Sequence, residues 1–510
     1  MKEPVDFPDA ALEEAIRWAI PRPQGDIYKY DLERLTELET PQNSISDLTG
    51  LEYATGLEEL GVKSGRISDI SPLANLTDLE ELDLPNNQVS DASPLGNLTE
   101  LTKLNLCSNT ISDISPLANL IKLARLWLSY NQIGDISSLT HLTNLRSLSL
   151  DYNRIGDVSS LANLINLKDL DLINNQIGNV SSLGSLTSLR SLRLGHNRIS
   201  DMSPLANFVN LRELSVANNQ ISDISPLANL TELIELNLYG NRISDVSPLA
   251  NLTELAVLSL GYNQISDILP LTNLTNLKWL GLWTNPIGDI WPLSNLINLK
   301  VLWLGSSHMI RDVSPLANLV NLVTLKLWDT GTRDVSALAR LINLTVLHLA
   351  SGRVSDISPL ANLTQLMELD LSDDKISDVS CLAGLTNLIE LKLSSNWIEE
   401  VSALSNLSGL TFLDLGDNRI EDISALANLA DLERLELANN QIGDVSPLAN
   451  LANLTSVNLK HNQIRDISPL VHNEELGIED KVDLRGNPLS SDSINIYIPQ
   501  LRARGVAVDY

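Results

Sequence analysis

The sequence predicts an α/β solenoid, and three observations predict it. One stretch of 22 residues, Leu101 to Lys122 (LTKLNLCSNTISDISPLANLIK), recurs with small changes from near residue 35 to near residue 489. Its apolar residues, among them Leu101, Leu104, Leu106, Ile111, Ile114, Leu117 and Leu120, follow neither a helical nor an alternating spacing throughout. One unit cannot bury them, but stacked units can, because each turn covers the apolar face of the next. Finally, no Gly/Ser-rich linker or low-complexity insert interrupts the repeats, so a length that would ordinarily suggest several domains is spent on one array.

Each element of the unit has a local reason. Leu104-Asn105-Leu106 alternates in and out and reads as a short strand. Identical strands on successive turns then pair as a parallel sheet, about 4.8 Å apart. Asn109 stands where the chain leaves the strand, and its amide can both donate to and accept from buried backbone. Repeated as Asn87, Asn109, Asn131, Asn153, Asn175, Asn197, Asn219, Asn241, Asn263 and Asn285, it predicts a structural ladder for otherwise orphaned backbone groups. The same position runs on from Asn43 to Asn487, with departures at Gly65, Ser307, Thr330, Gly352 and Asp374. Ser115-Pro116 suits the start of a short helical turn, with serine as the cap and proline in the first position. Too few residues remain on that side for a long helix, so 3₁₀ or extended segments are expected. A period of this length with this leucine pattern is a leucine-rich repeat. The expectation is a right-handed arc of about 21 turns, with the parallel sheet on the concave face and a 3₁₀ or extended convex side. Its curvature is expected to be shallow and its length on the order of 100 Å.

The ends depart from the repeat. Residues 1–34 are read as an N-terminal helical cap, 35–489 as the solenoid and 490–510 as a C-terminal cap. Leu12, Ala15, Ile16, Ala19 and Ile20 recur at helical spacing and stop at Pro21 and Pro23; a second short helix is expected from Lys29 to Arg34. At the other end, Asp492 to Ala503 suggests a helix with Ile494, Ile498 and Leu501 inward and a kink at Pro499. Gly505 then releases a last strand, Val506 to Tyr510.

Composition narrows the function. The formal net charge of −29 argues against nucleic acid, whose phosphates need a basic footprint, and against anionic lipid. Cys107 and Cys381 lie too many turns apart to bridge within one chain. No signal peptide, run of 18 apolar residues, lipidation motif or wall anchor is visible, so membrane insertion is not expected. The six histidines are scattered, and no zinc-protease, nucleophile-elbow, phosphate-loop or paired-cysteine motif occurs. No catalytic residue, metal site or cofactor is assigned. The aspartate column Asp91, Asp113, Asp135, Asp157 and onward, interrupted at Asn179 and Glu400, admits two readings. It is a cation-binding stripe, or each carboxylate satisfies backbone at its own turn; the second is favoured.

The outward positions of the strands and their exits hold small polar or charged residues in most turns. Between about residues 239 and 348 they hold Tyr239, Tyr262, Trp279, Trp283, Trp303, Trp328 and His348, flanked by neutral Val257, Ser259, Gly281, Val301 and Thr324. Four of the chain's eight tryptophans fall on this one face. Such aromatics dominate interface hot spots because they bury large area at little entropic cost, and a run of them over adjacent turns makes a patch. The same zone breaks the period, with one extra residue near His308-Met309.

The unit ISDISPLANLTEL, Ile221 to Leu233, resembles the repeat of the bacterial internalin family, and Phe7 to Ile16 (FPDAALEEAI) resembles the caps of such proteins. The resemblance covers most of the chain. It implies a non-enzymatic binding protein, secreted or on the cell surface, that holds a protein or glycan partner on the concave face as a monomer. The alternative is a cytoplasmic scaffold or regulatory arm of a larger signalling protein, like the arrays attached to Roco-type GTPases.

Overall fold

In the computed structural model, residues 4–20, 24–40 and 45–510 are described; Asn43 and the helix-ending Pro21 and Pro23 lie outside them. The chain forms two compact units, Met1–Leu255 and Ala256–Tyr510.

In the first unit, a helix Ala10–Ala19 buries Leu12, Ala15 and Ile16. Asp9 explains both its start and its docking. Its Oδ1 accepts from the backbone N–H of Ala11 at 2.9 Å and of Leu12 at 3.1 Å. Its Oδ2 accepts from Ser46 N at 2.7 Å, so one carboxylate caps the helix and ties it to the first turn. A second helix runs from Lys29 to Leu32. Parallel strands follow from Glu37–Thr40 to Glu235–Asn237, each in register with the next: Glu37 lies opposite Glu59, Lys103 opposite Arg125.

The second unit repeats the pattern from Val257–Ser259 onward. Its register is regular at Trp279↔Val301, slips by one at Val301↔Thr324, and widens at Ser456↔Lys481. The final strand, Ala507–Asp509, pairs in parallel with Lys481–Asp483.

The core is a stack of leucine and isoleucine rungs. Leu104, Leu106, Ile111, Leu117 and Leu120 are fully buried, as are their counterparts on other turns. Each such side chain contributes roughly 1.5–3 kcal/mol by leaving water. The far side carries 3₁₀ turns such as Ser115–Asn119 and Ser314–Asn318.

Two expectations are corrected. Serine is not the cap of these turns. Ser115 is their first residue, and its N–H is taken by Asp113 Oδ1 at 2.8 Å. A serine cap would accept from an N–H two or three residues further on; instead the carboxylate two residues upstream satisfies the N–H that opens the turn. The same bond recurs at 2.8 Å from Asp91, Asp201 and Asp334, which gives the aspartate column its local role. At the C-terminus a π-helical turn, Ser493–Tyr497, precedes the α-helix Ile498–Ala503. The wider turn shifts the facing residue. Ser493 is buried, donating to Arg465 O at 2.7 Å, whereas Ile494 is exposed. Ile498 and Leu501 do face inward.

Candidate binding site

The site stands on a backbone that the asparagines hold. Asn219 Nδ2 donates to Leu194 O and Val216 O, both at 3.0 Å, and its Oδ1 accepts from Ile199 N at 2.9 Å. Asn285 does the same with Leu260 O and Leu282 O at 2.9 Å and Ile265 N at 3.0 Å. One amide thus satisfies groups on two turns. The residue before it takes a left-handed conformation even though it is rarely glycine: φ is 57° at Ser108, 52° at Tyr262 and 55° at Thr284. A second asparagine column, not singled out in the sequence, runs along the entrance to the strands. Asn144 donates to Ile121 O at 2.8 Å, Asn298 to Thr275 O at 2.9 Å and Asn343 to Val320 O at 2.8 Å. Its signal is the Asn of the Leu-x-Asn-Leu run.

On the solvent face of the second unit's sheet, three of the four tryptophans come together. Trp279 and Trp303 have ring centroids 5.4 Å apart, Trp283 and Trp303 5.3 Å, and Trp279 and Trp283 6.2 Å at right angles. These are the tilted and edge-to-face geometries that aromatic quadrupoles favour. All three are half-buried, because each covers part of another. Lys326 Nζ lies 5.4 Å from the Trp303 ring, within cation–π range. The Trp303 indole N–H is enclosed without a hydrogen-bond partner.

Glycines make room for these rings. A Cβ at Gly281 would fall 2.2 Å from Trp283 Cζ3 and 2.6 Å from Trp279 Cη2. One at Gly261 would meet Trp283 at 2.6 Å, and one at Gly305 would meet Trp328 at 2.2 Å. At the strand-exit position the residues therefore alternate: Gly261, Trp283, Gly305, Trp328. Each indole lies over the bare backbone of the preceding turn.

Trp328 is half-buried over Gly305, apart from the three-ring group. Tyr262 is exposed at its left-handed turn. His348 is held by Glu368, Nε2 to Oε1 at 2.5 Å, so that nitrogen is already engaged. Tyr239 belongs to the first unit and is half-buried at a strand exit. The first unit also carries an aromatic pair that sequence reading missed. Tyr130 and Tyr152 stack with centroids 4.2 Å apart and planes 9° apart. Their spacing, each directly before a ladder asparagine, was the available signal.

The family of leucine-rich repeats, taken two copies at a time, matches at 77–119, 121–163, overlapping spans from 165 to 275, 386–428 and 431–472. A crystal structure of an internalin from Listeria monocytogenes is 36% identical, with 73% of this chain and 98% of that one covered, at a TM-score of 0.56. The chain therefore belongs to the leucine-rich-repeat family, and within it to the internalin-like proteins. Two plant receptors share the fold, the first from Arabidopsis. The receptor kinase HAESA, solved with the peptide hormone IDA and the co-receptor SERK1, is 20% identical over 93% of this chain and 90% of its own, with a TM-score of 0.60. The peptide hormone receptor RGFR1, solved with RGF2, is 19% identical over 95% of both chains, with a TM-score of 0.57. No curated protein matches. The fold is one typical of protein-binding, generally non-enzymatic domains. Among the described residues no helix is long and apolar enough to cross a membrane.

Proposed function

We propose that the sheet face of the second unit is a non-enzymatic binding surface for a protein or glycan, anchored by Trp279, Trp283, Trp303 and Trp328. Tyr262 and His348 stand at its margins. One observation carries it: three indoles pack together at 5.3–6.2 Å on an outward sheet face, over glycines that admit no side chain. Rings fixed by one another have little rotamer freedom left to lose on binding. They form an apolar island, with Lys326 at its edge, in a chain of net charge −29. Glu368 and Asp370 beside it on this unit suit a partner with a basic rim. That component weakens with salt, whereas the aromatic one does not.

The test starts from ligands selected against the intact chain from a random peptide display library and a glycan array. Their affinities are then measured for Trp279→Ala, Trp283→Ala, Trp303→Ala and Trp328→Ala. A loss of about 2 kcal/mol or more is expected for at least one anchor, with the fold retained. Parental binding by all four, together with loss in Trp291→Ala on the opposite side, would overturn the reading.

A further inference from the structure

Beside the tryptophan face, the turns that lack the ladder asparagine place three arginines around one cavity. Arg311, Arg333 and Arg353 come from successive turns, and with His308 they line a space of about 450 Å³. The extra residue at His308-Met309 and the glycine at 331 shape it. A Cβ on Gly331 would fall 2.8 Å from His308 O and 3.1 Å from Arg311 Cγ, so the aliphatic stem of Arg311 lies across bare backbone.

Among the described residues the guanidinium groups of this cavity are not ion-paired: no carboxylate comes within 4.0 Å of a guanidinium nitrogen of these three arginines. The two acids on the cavity wall are otherwise engaged. Asp329 Oδ1 lies 3.1 Å from His308 Nδ1, and Asp334 Oδ1 accepts from Ser336 N at 2.8 Å. On the lining itself three guanidinium groups stand against two carboxylates, and the acids of the next turn are also turned to other partners: Asp373 accepts from Ser351 Oγ at 3.1 Å and Asp374 from Arg353 N at 2.6 Å. Each arginine offers a planar fork suited to oxyanions. Forks from three turns, spaced about 4.8 Å per turn, approach a ligand from three positions. A tetrahedral monoester has three free oxygens to meet them, whereas a carboxylate has two.

We infer that this cavity binds a tetrahedral oxyanion, a sulfate or phosphate monoester carried by the partner on the tryptophan face. The inference rests on that reading for the partner, but not for the anion itself. The three arginines would supply charge-assisted hydrogen bonds. The long-range field of the chain repels anions, so the cavity selects a group presented at close range by a partner already docked on the apolar rings.

Equilibrium dialysis of the intact chain against radiolabelled inorganic sulfate and, separately, phosphate tests it, at constant ionic strength in chloride. One saturable equivalent is expected. Arg333→Gln and Arg353→Gln should each weaken it at least about tenfold, with Arg333→Lys intermediate. Arg242→Gln, an exposed arginine of the first unit, should leave it unchanged. Affinity that rises as phosphate takes its second charge, with sulfate insensitive over the same pH range, assigns a phosphate ester. Tighter sulfate binding throughout assigns a sulfate ester. No saturable binding, equal binding by acetate, or indifference to both glutamine variants while circular dichroism shows the parental fold would overturn the inference. Trp303→Ala separates the two proposals. Anion binding that survives it, with partner binding also intact, refutes the tryptophan reading alone. Partner binding that needs Trp303 but no arginine refutes this one.

Discussion

Asp374 stands in the asparagine column, and replacing it with asparagine should stabilise the protein by an amount that depends on pH. In the neighbouring turn Asn396 Oδ1 accepts from Ile376 N, while its Nδ2 donates to Leu371 O and Leu393 O. Asp374 reproduces only the first half. Its Oδ1 accepts from Val354 N at 2.8 Å and Arg353 N at 2.6 Å, but Oδ2 sits where the donor belongs, enclosed and without a partner. Burial pushes its pKa from 3.8 up to about 7, against the pull of the amide N–H groups of Val354, Arg353 and Gly352; the nearby Asp373 charge adds to the rise. A folded-state pKa above the unfolded value means the native state holds the extra proton. Stability is then lost as pH rises from about 4 to about 7, and the loss levels off above that. A difference of about three pKa units corresponds to about 4 kcal/mol at pH 8. Asp374→Asn removes this dependence and restores a donor, a further gain of about 1 kcal/mol. Denaturant unfolding of parent and variant at pH 5 and pH 8 measures it. The variant's advantage should be about 2–3 kcal/mol larger at pH 8 than at pH 5. An advantage equal at the two pH values would refute the reasoning, because every other titrating group is common to both proteins.

Asn219→Ala should cost about 1–3 kcal/mol, since two carbonyls and the Ile199 N–H lose their partner; thermal unfolding of the variant provides the comparison. Gly305→Ala should displace the Trp328 ring, because its Cβ would fall 2.2 Å from Trp328 Cδ2 and Cε2. The expected readout is a changed tryptophan fluorescence spectrum with the circular dichroism of the array retained, and an unchanged spectrum would count against the close packing described.

The fold was legible because it is local arithmetic repeated many times. Leu104, Ile111 and Leu117 sit at positions that only stacking can bury, and the period says so without any tertiary knowledge. What failed was competition at short range. Ser115 and Asp113 both offer oxygens to the N–H groups that open the turn, and the sequence does not show which one is used. Ile494 failed for a related reason: a π-helical turn shifts the face by one residue, and no pattern of apolar spacing announces it. The aromatic positions were legible as outward, but not their mutual packing. That depends on the glycines at 261, 281 and 305, which become informative only once each is placed under the ring of a neighbouring turn. Likewise Asp374 was visible as a departure, while the consequence of its enclosed oxygen required its burial.

The departures are not spread evenly. Ser307, Thr330, Gly352 and Asp374 occupy successive turns, and each meets the ladder's task differently. Ser307 Oγ donates to Asn285 O at 2.9 Å, Thr330 Oγ1 donates to Thr332 Oγ1 at 3.0 Å, Gly352 has no side chain, and Asp374 only accepts. None matches the amide of Asn285 or Asn396, which flank them with full sets of bonds. In a repeat array each turn leans chiefly on its neighbours, so a few weak turns between strong ones are tolerated where an unbroken run of them would not be. Those same turns carry Trp303, Trp328 and His348 on the sheet face and Arg311, Arg333 and Arg353 at its edge. Removing a buried amide frees the strand exit from one fixed geometry. That freedom allows the wider turn at His308-Met309 and the glycine beneath Arg311. The ladder is thus given up over one short stretch, and part of the proposed binding surface falls on it, while Trp279 and Trp283 stand on the turn before, which keeps Asn285.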